Sequence, residues 1–80
     1  MEQCRIRYRN SQGTLLRILL TTTRRGLDLD YVLAEPAGGE HLATLRLSAN
    51  PKQWAQLGRD WRAIVDVLDV EQPMPRAAAG

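Results

Sequence analysis

Phenylalanine is missing from the eighty residues, and aromatic side chains make up only 5% of them. Cysteine, histidine and lysine occur once each, as Cys4, His41 and Lys52. A single cysteine excludes an intrachain disulfide and a cysteine-based zinc site, and it fits a reducing cytoplasm. No stretch approaches the roughly 18 apolar residues of a membrane-spanning helix. Residues 1–9 alternate charged and apolar groups, where a secretory signal needs an apolar run of about 7 to 15. There is no glycine-rich phosphate loop, no carboxylate cluster suited to magnesium, and no nucleophile and base pair. These absences lead us to expect a cytoplasmic, membrane-free and non-catalytic domain.

What is present has a globular balance. Eleven Lys and Arg against nine Asp and Glu give a net charge of +2, and 44% of the residues are apolar. That charge does not by itself imply a nucleic-acid partner. A chain of this length removes only roughly 60% of its unfolded surface from water, so it can build one core and not two.

Residues 4–9 alternate strictly, with Cys4, Ile6 and Tyr8 on one face and Arg5, Arg7 and Arg9 on the other, which predicts a half-buried strand. Asn10-Ser11-Gln12-Gly13 supplies turn and cap residues, with Asn10 or Ser11 expected to cap a following helix. Leu15, Leu16, Ile18, Leu19 and Leu20 recur at helical spacing. Arg24-Arg25-Gly26 reads as the helix end, although Thr21 to Thr23 are poor helix formers. Alternation returns over 27–34. A flexible loop of about five residues, 36–40, then leads to a strand over 41–49 with Ala43, Leu45 and Leu47 inward. Asn50-Pro51 marks a second helix start, with Trp54, Leu57, Trp61 and Ile64 along its apolar face. A last strand is expected over 65–71, and residues 72–80, with two prolines and an alanine run, read as a disordered tail.

The order strand, helix, strand, strand, helix, strand is the α+β, ferredoxin-like βαββαβ arrangement, a four-stranded sheet with two helices on one face, over residues 3–71. In it the first and last strands are neighbours. Arg5, Arg7 and Arg9 should then face Asp69 and Glu71 and be largely neutralised. Trp54 and Trp61 are expected in the core and Cys4 as a small buried group, while His41 is expected to be neither ligand nor base.

The run Asn10-Ser11-Gln12-Gly13-Thr14-Leu15-Leu16-Arg17-Ile18, followed by Arg24-Arg25-Gly26-Leu27-Asp28, resembles the opening of ACT domains, in particular the small regulatory subunits of acetolactate synthase. Ile64-Val65-Asp66-Val67-Leu68-Asp69-Val70 is similar to their closing strand. The resemblance implies a non-catalytic partner of a large subunit that holds thiamine diphosphate, magnesium and FAD, with no cofactor on this chain. It implies a homodimer joined edge to edge and an amino-acid effector site between protomers. Valine or isoleucine would be the branched-chain ligand of such a site.

Carried over by position, the site would comprise Asn10, Ser11, Gln12, Gly13 and Asp28. Backbone N–H groups at a helix start favour a carboxylate, and glycine lets it approach. Two positions depart from the family pattern. Asp28 replaces a neutral amide, and Ser11-Gln12 stands where Glu-Pro is common. A free-standing amino-acid sensor is the alternative. An RNA-binding module of the same shape is a weaker one, since Tyr8 alone would offer an aromatic on the central strands, on the inward face.

Overall fold

The computed structural model describes residues 2–73. Its elements run β1 (Glu2–Tyr8), α1 (Thr14–Arg24), β2 (Tyr31–Ala37), β3 (Glu40–Leu47), α2 (Pro51–Arg62) and β4 (Val67–Glu71). The four strands form one sheet in the order β2-β3-β1-β4, and every neighbouring pair is antiparallel. This is the βαββαβ arrangement expected from the sequence, with β1 and β3 central and β2 and β4 at the edges.

The alternating pattern of β1 sets the core. Cys4, Ile6 and Tyr8 are buried and pair across the sheet with Leu45, Ala43 and His41. Leu45, Leu47 and Ala43 share that buried face with Ile18, Leu57, Trp61, Trp54 and Val70. Both indoles are held at each end. The Trp61 Nε1 donates to the Ile18 carbonyl at 3.3 Å, the Trp54 Nε1 donates to Glu2 Oε1 at 3.0 Å, and the rings meet edge to face at 6.4 Å.

The threonine triplet is accommodated within the helix, with each hydroxyl bonded to a carbonyl of the preceding turn. Thr21, Thr22 and Thr23 donate to the carbonyls of Arg17, Ile18 and Leu20 at 2.6, 3.0 and 3.1 Å. Helix α2 starts where the sequence predicts. The Asn50 side chain accepts from the Gln53 N–H while the Gln53 side chain accepts from the Asn50 N–H, both at 2.8 Å.

Four sequence expectations are corrected. The second strand begins at Tyr31 and not at Leu27; Leu27 is buried, but residues 27–30 lie outside the strand, touching β3 through one bond from the Asp30 N–H to the Arg46 carbonyl at 2.9 Å. The loop after it has two residues and not five. Ala37 pairs with Glu40, and Gly38 and Gly39, both left-handed at φ 58° and 85°, make the tight turn whose backbone twist matches the right-handed twist of the strands it joins. The final strand begins at Val67 and not at Val65.

The fourth correction concerns the arginine stripe. Arg5 and Arg7 do lie opposite Glu71 and Asp69, yet no ion pair joins these strands among the described residues. Arg7 instead reaches Glu40 at 3.7 Å, across the exposed face of the sheet.

Gln72, assigned to the tail by its composition, is pinned. Its Nε2 donates to the Trp54 carbonyl at 2.6 Å, and its amide passes over buried Gly58, where a Cβ would meet it at 2.8 Å. Residues 74–80 of the expected tail lie outside the described residues.

Candidate functional site

The loop joining β1 to α1 is built from short-range turns. The Ser11 N–H donates to the Arg9 carbonyl at 2.8 Å, and the Thr14 N–H donates to the Ser11 carbonyl at 3.3 Å. Gly13 occupies the position just before the helix at φ 83°, ψ 0°, a left-handed conformation that glycine adopts without steric cost. Neither Asn10 nor Ser11 caps α1, contrary to the sequence expectation, because no side chain accepts a bond from its first turn. The helix start therefore presents N–H groups without side-chain partners, next to a glycine whose missing Cβ faces open space.

The Ser11 hydroxyl is taken elsewhere. It donates to the Asp66 carboxylate and also lies 2.6 Å from the Thr14 Oγ1. A serine hydroxyl has one proton, so with that proton on Asp66 the buried Thr14 hydroxyl is the donor to Ser11. The backbone repeats the tie, since the Arg9 N–H donates to the Asp66 carbonyl at 2.9 Å. Asp66 thus clamps the loop to the start of β4. Sequence reading missed it: the contact spans 55 positions and Asp66 sits in what reads as an ordinary alternating strand.

A hollow of about 350 Å³ opens at this helix start, lined by Asn10, Ser11, Gly13, Leu15, Leu16 and Leu19. Three of the five expected site residues are brought together there. Gln12 and Asp28 are exposed and do not line it; Asp28 lies in the segment that precedes β2. One wall carries backbone donors and the other three leucines. That combination suits a small ligand with a carboxylate at one end and an aliphatic group at the other. The volume is at the lower end of ligand pockets, which run from about 300 to 1,000 Å³ and enclose most of their ligand.

Nearby, the free edge of the sheet is unusually apolar. Every residue of β2 is exposed, with Val32 and Leu33 each at 41%, and α1 leaves Leu16 exposed at 58% and Leu20 at 40%. Val32 pairs with buried Leu45, so it stands on the helix side of the sheet, while Tyr31 pairs with Arg46 on the other side and lies under its guanidinium at 4.4 Å.

Two side chains outside the expected site are held in or against the core. Cys4 is buried, and burial pushes its thiol up to about 12, so it is a neutral core group at ordinary pH. His41 stacks against Tyr8 with 5.7 Å between ring centres, and its buried Nδ1 has no hydrogen-bond partner. No cluster of three or more His, Cys, Asp or Glu side chains able to hold a metal occurs among the described residues. Among the same residues no helix is long and apolar enough to cross a membrane.

The chain matches no sequence-family profile and no curated protein. Its fold does match solved structures. The ACT domain from a GTP pyrophosphokinase of Chlorobium tepidum superposes with a TM-score of 0.77 at 16% identity, over 90% of this chain and 95% of that one. The small subunit of acetolactate synthase from Thermotoga maritima gives the same TM-score and identity over 94% of this chain, which spans only 49% of that subunit. The C-terminal domain of the MgtC protein from Mycobacterium tuberculosis gives 0.73 at 19% identity, over 89% of this chain and 82% of that one. The fold is that of the ACT domains, and the likeness at this level of identity is one of fold.

Proposed function

We propose that the chain is a non-catalytic regulatory subunit, a paired ACT domain that serves an acetolactate synthase large subunit and responds to a branched-chain amino acid. The observation that carries this reading is the hollow at the start of α1. Its helix start, which no side chain caps, suits a ligand carboxylate, and Leu15, Leu16 and Leu19 suit an aliphatic side chain. The hollow is open on one side, and the apolar β2 edge offers a surface on which a second copy would add the missing wall. In that arrangement Asp28, near the start of β2, reaches the ligand from the partner protomer and pairs with its ammonium group. The similarity to an acetolactate synthase small subunit supports the choice of enzyme.

The test is acetolactate formation from pyruvate by the large subunit of the source organism, with and without this chain, then with valine or isoleucine added. A several-fold activation is expected, with the effector response abolished by Gly13→Asp, which puts a carboxylate and a strained backbone where the ligand carboxylate binds. Absence of both activation and co-purification would overturn the choice of enzyme.

A second reading has a specific basis. The ACT domain of a GTP pyrophosphokinase superposes equally well and over nearly its whole length. A sensor module that binds its amino acid without any acetolactate synthase would show a saturable calorimetric signal with valine, leucine or isoleucine on the isolated chain.

A further inference from the structure

Charge is divided unevenly between the helical stretches and the rest of the chain. The stretches 14–25 and 51–62, which hold the helices, carry six cations, Arg17, Arg24, Arg25, Lys52, Arg59 and Arg62, against one anion, Asp60. Their net charge is +5, and the rest of the chain, with five cations against eight anions, is at −3. All six cations are exposed. Arg25 alone has an ion-pair partner among the described residues, its Nη2 lying 2.6 Å and its Nε 2.8 Å from Asp60 Oδ2. Arg62 also has a partner, a backbone one, donating to the Val70 carbonyl at 3.2 Å.

The Arg25–Asp60 pair ties the end of α1 to α2. Beside it runs a groove of about 520 Å³ whose walls include Thr21 and Arg24 on one helix and Gln53 and Gln56 on the other. Arg25 and Asp60 also line it but occupy each other, and the Thr21 hydroxyl is spent on the Arg17 carbonyl, so the available donors are the Arg24 guanidinium and the Gln53 and Gln56 amides.

We propose that the outer face of the helix layer docks a protein surface rich in Asp and Glu side chains. Guanidinium groups match carboxylates through paired, parallel N–H bonds, and five of the six cations here are arginine. A like-charged face of this density costs the free chain some self-repulsion, which an acidic partner relieves. Nucleic acid fits less well. Neither helix exposes an aromatic side chain for base stacking, since Trp54 and Trp61 are buried. The proposal stands apart from the effector reading, whose residues lie at β2 and at the start of α1.

The experiment is a titration of the full chain, labelled for amide NMR, with a synthetic peptide of alternating Glu and Ala at low ionic strength. Saturable shifts are expected on residues 17–25 and 52–62. Affinity should fall at least about tenfold in Arg24→Glu/Arg59→Glu and persist in the sheet-face control Arg5→Glu/Arg7→Glu. Binding should also weaken steeply at about 0.5 M salt, where screening acts within several Å. The proposal is overturned by no shifts at low salt, by shifts centred on the sheet, or by equal affinity of the helix variant. It is overturned too if a poly-uridine RNA or phosphatidylserine vesicles bind these helices more tightly than the peptide.

Discussion

At the residue scale, Gly13 and Cys4 carry the sharpest consequences. Gly13 has open space around it, so Gly13→Ala meets no clash and its cost is backbone strain alone, about 1–2 kcal/mol at φ 83°. Urea unfolding should show that loss, and Gly13→Asn should lose less, because asparagine tolerates the left-handed region. Cys4 gives a pH dependence. Its thiol is held near 12 in the fold against about 9 when unfolded, so the unfolded chain gives up its proton first. Stability is intact below pH 9 and declines as pH rises from 9 towards 12. Burial raises the Tyr8 hydroxyl in the same direction. Alkaline melts should therefore show a falling Tm that is shallower in Cys4→Ala, and a thiol reagent should label Cys4 only after denaturant is added. Gly13 was legible in the sequence as a turn residue before a helix. Asp66 was not, because its role is to accept a hydroxyl from a residue 55 positions away, and alternation conveys only which face a side chain occupies.

At the element scale, local pattern and tertiary context part company in the second strand. Leu27-Asp28-Leu29-Asp30 alternates as regularly as any strand in the chain, yet paired residues start only at Tyr31, one position after the Asp30 N–H first bonds to the Arg46 carbonyl of β3. Periodicity reports a burial rhythm and is silent on whether a neighbour supplies hydrogen bonds. The Gly38-Gly39 turn was hidden for a related reason: Pro36 reads as loop, but on an edge strand its missing N–H costs no ladder bond. Helix α2 yields a test of the Gln72 clasp. In the native chain Gly58→Ala drives a Cβ into the Gln72 amide, offsetting the gain of about 1 kcal/mol in helix propensity. In a Gln72→Ala background only the Arg62 guanidinium, 2.9 Å from the added Cβ, remains in the way, and the same substitution should cost less than in the native chain. A double-mutant cycle in urea should give a coupling of at least about 0.5 kcal/mol; strict additivity would dissolve the clasp.

At the scale of the whole molecule, the β2 edge of the sheet is apolar and exposed along its length. Sedimentation should report a dimer, and Val32→Lys together with Leu20→Lys should convert it to a folded monomer, since both positions are exposed in the single chain. A dimer indifferent to these changes would place the interface elsewhere and remove the second wall from the effector hollow. The βαββαβ order was legible because strand and helix periods alternate cleanly along the chain, whereas the uneven division of charge between the helical stretches and the rest emerged only once the helices were in place. The strand order has a last consequence, for birth on the ribosome. The central strand β1 is synthesised before either neighbour, and its two partners are the third and fourth strands made. Cys4, Ile6 and Tyr8 thus gain strand neighbours on one side only after residues 40–47 are made and on the other only after residues 67–71, so the nascent chain carries an incompletely paired central strand while the rest of the domain is made.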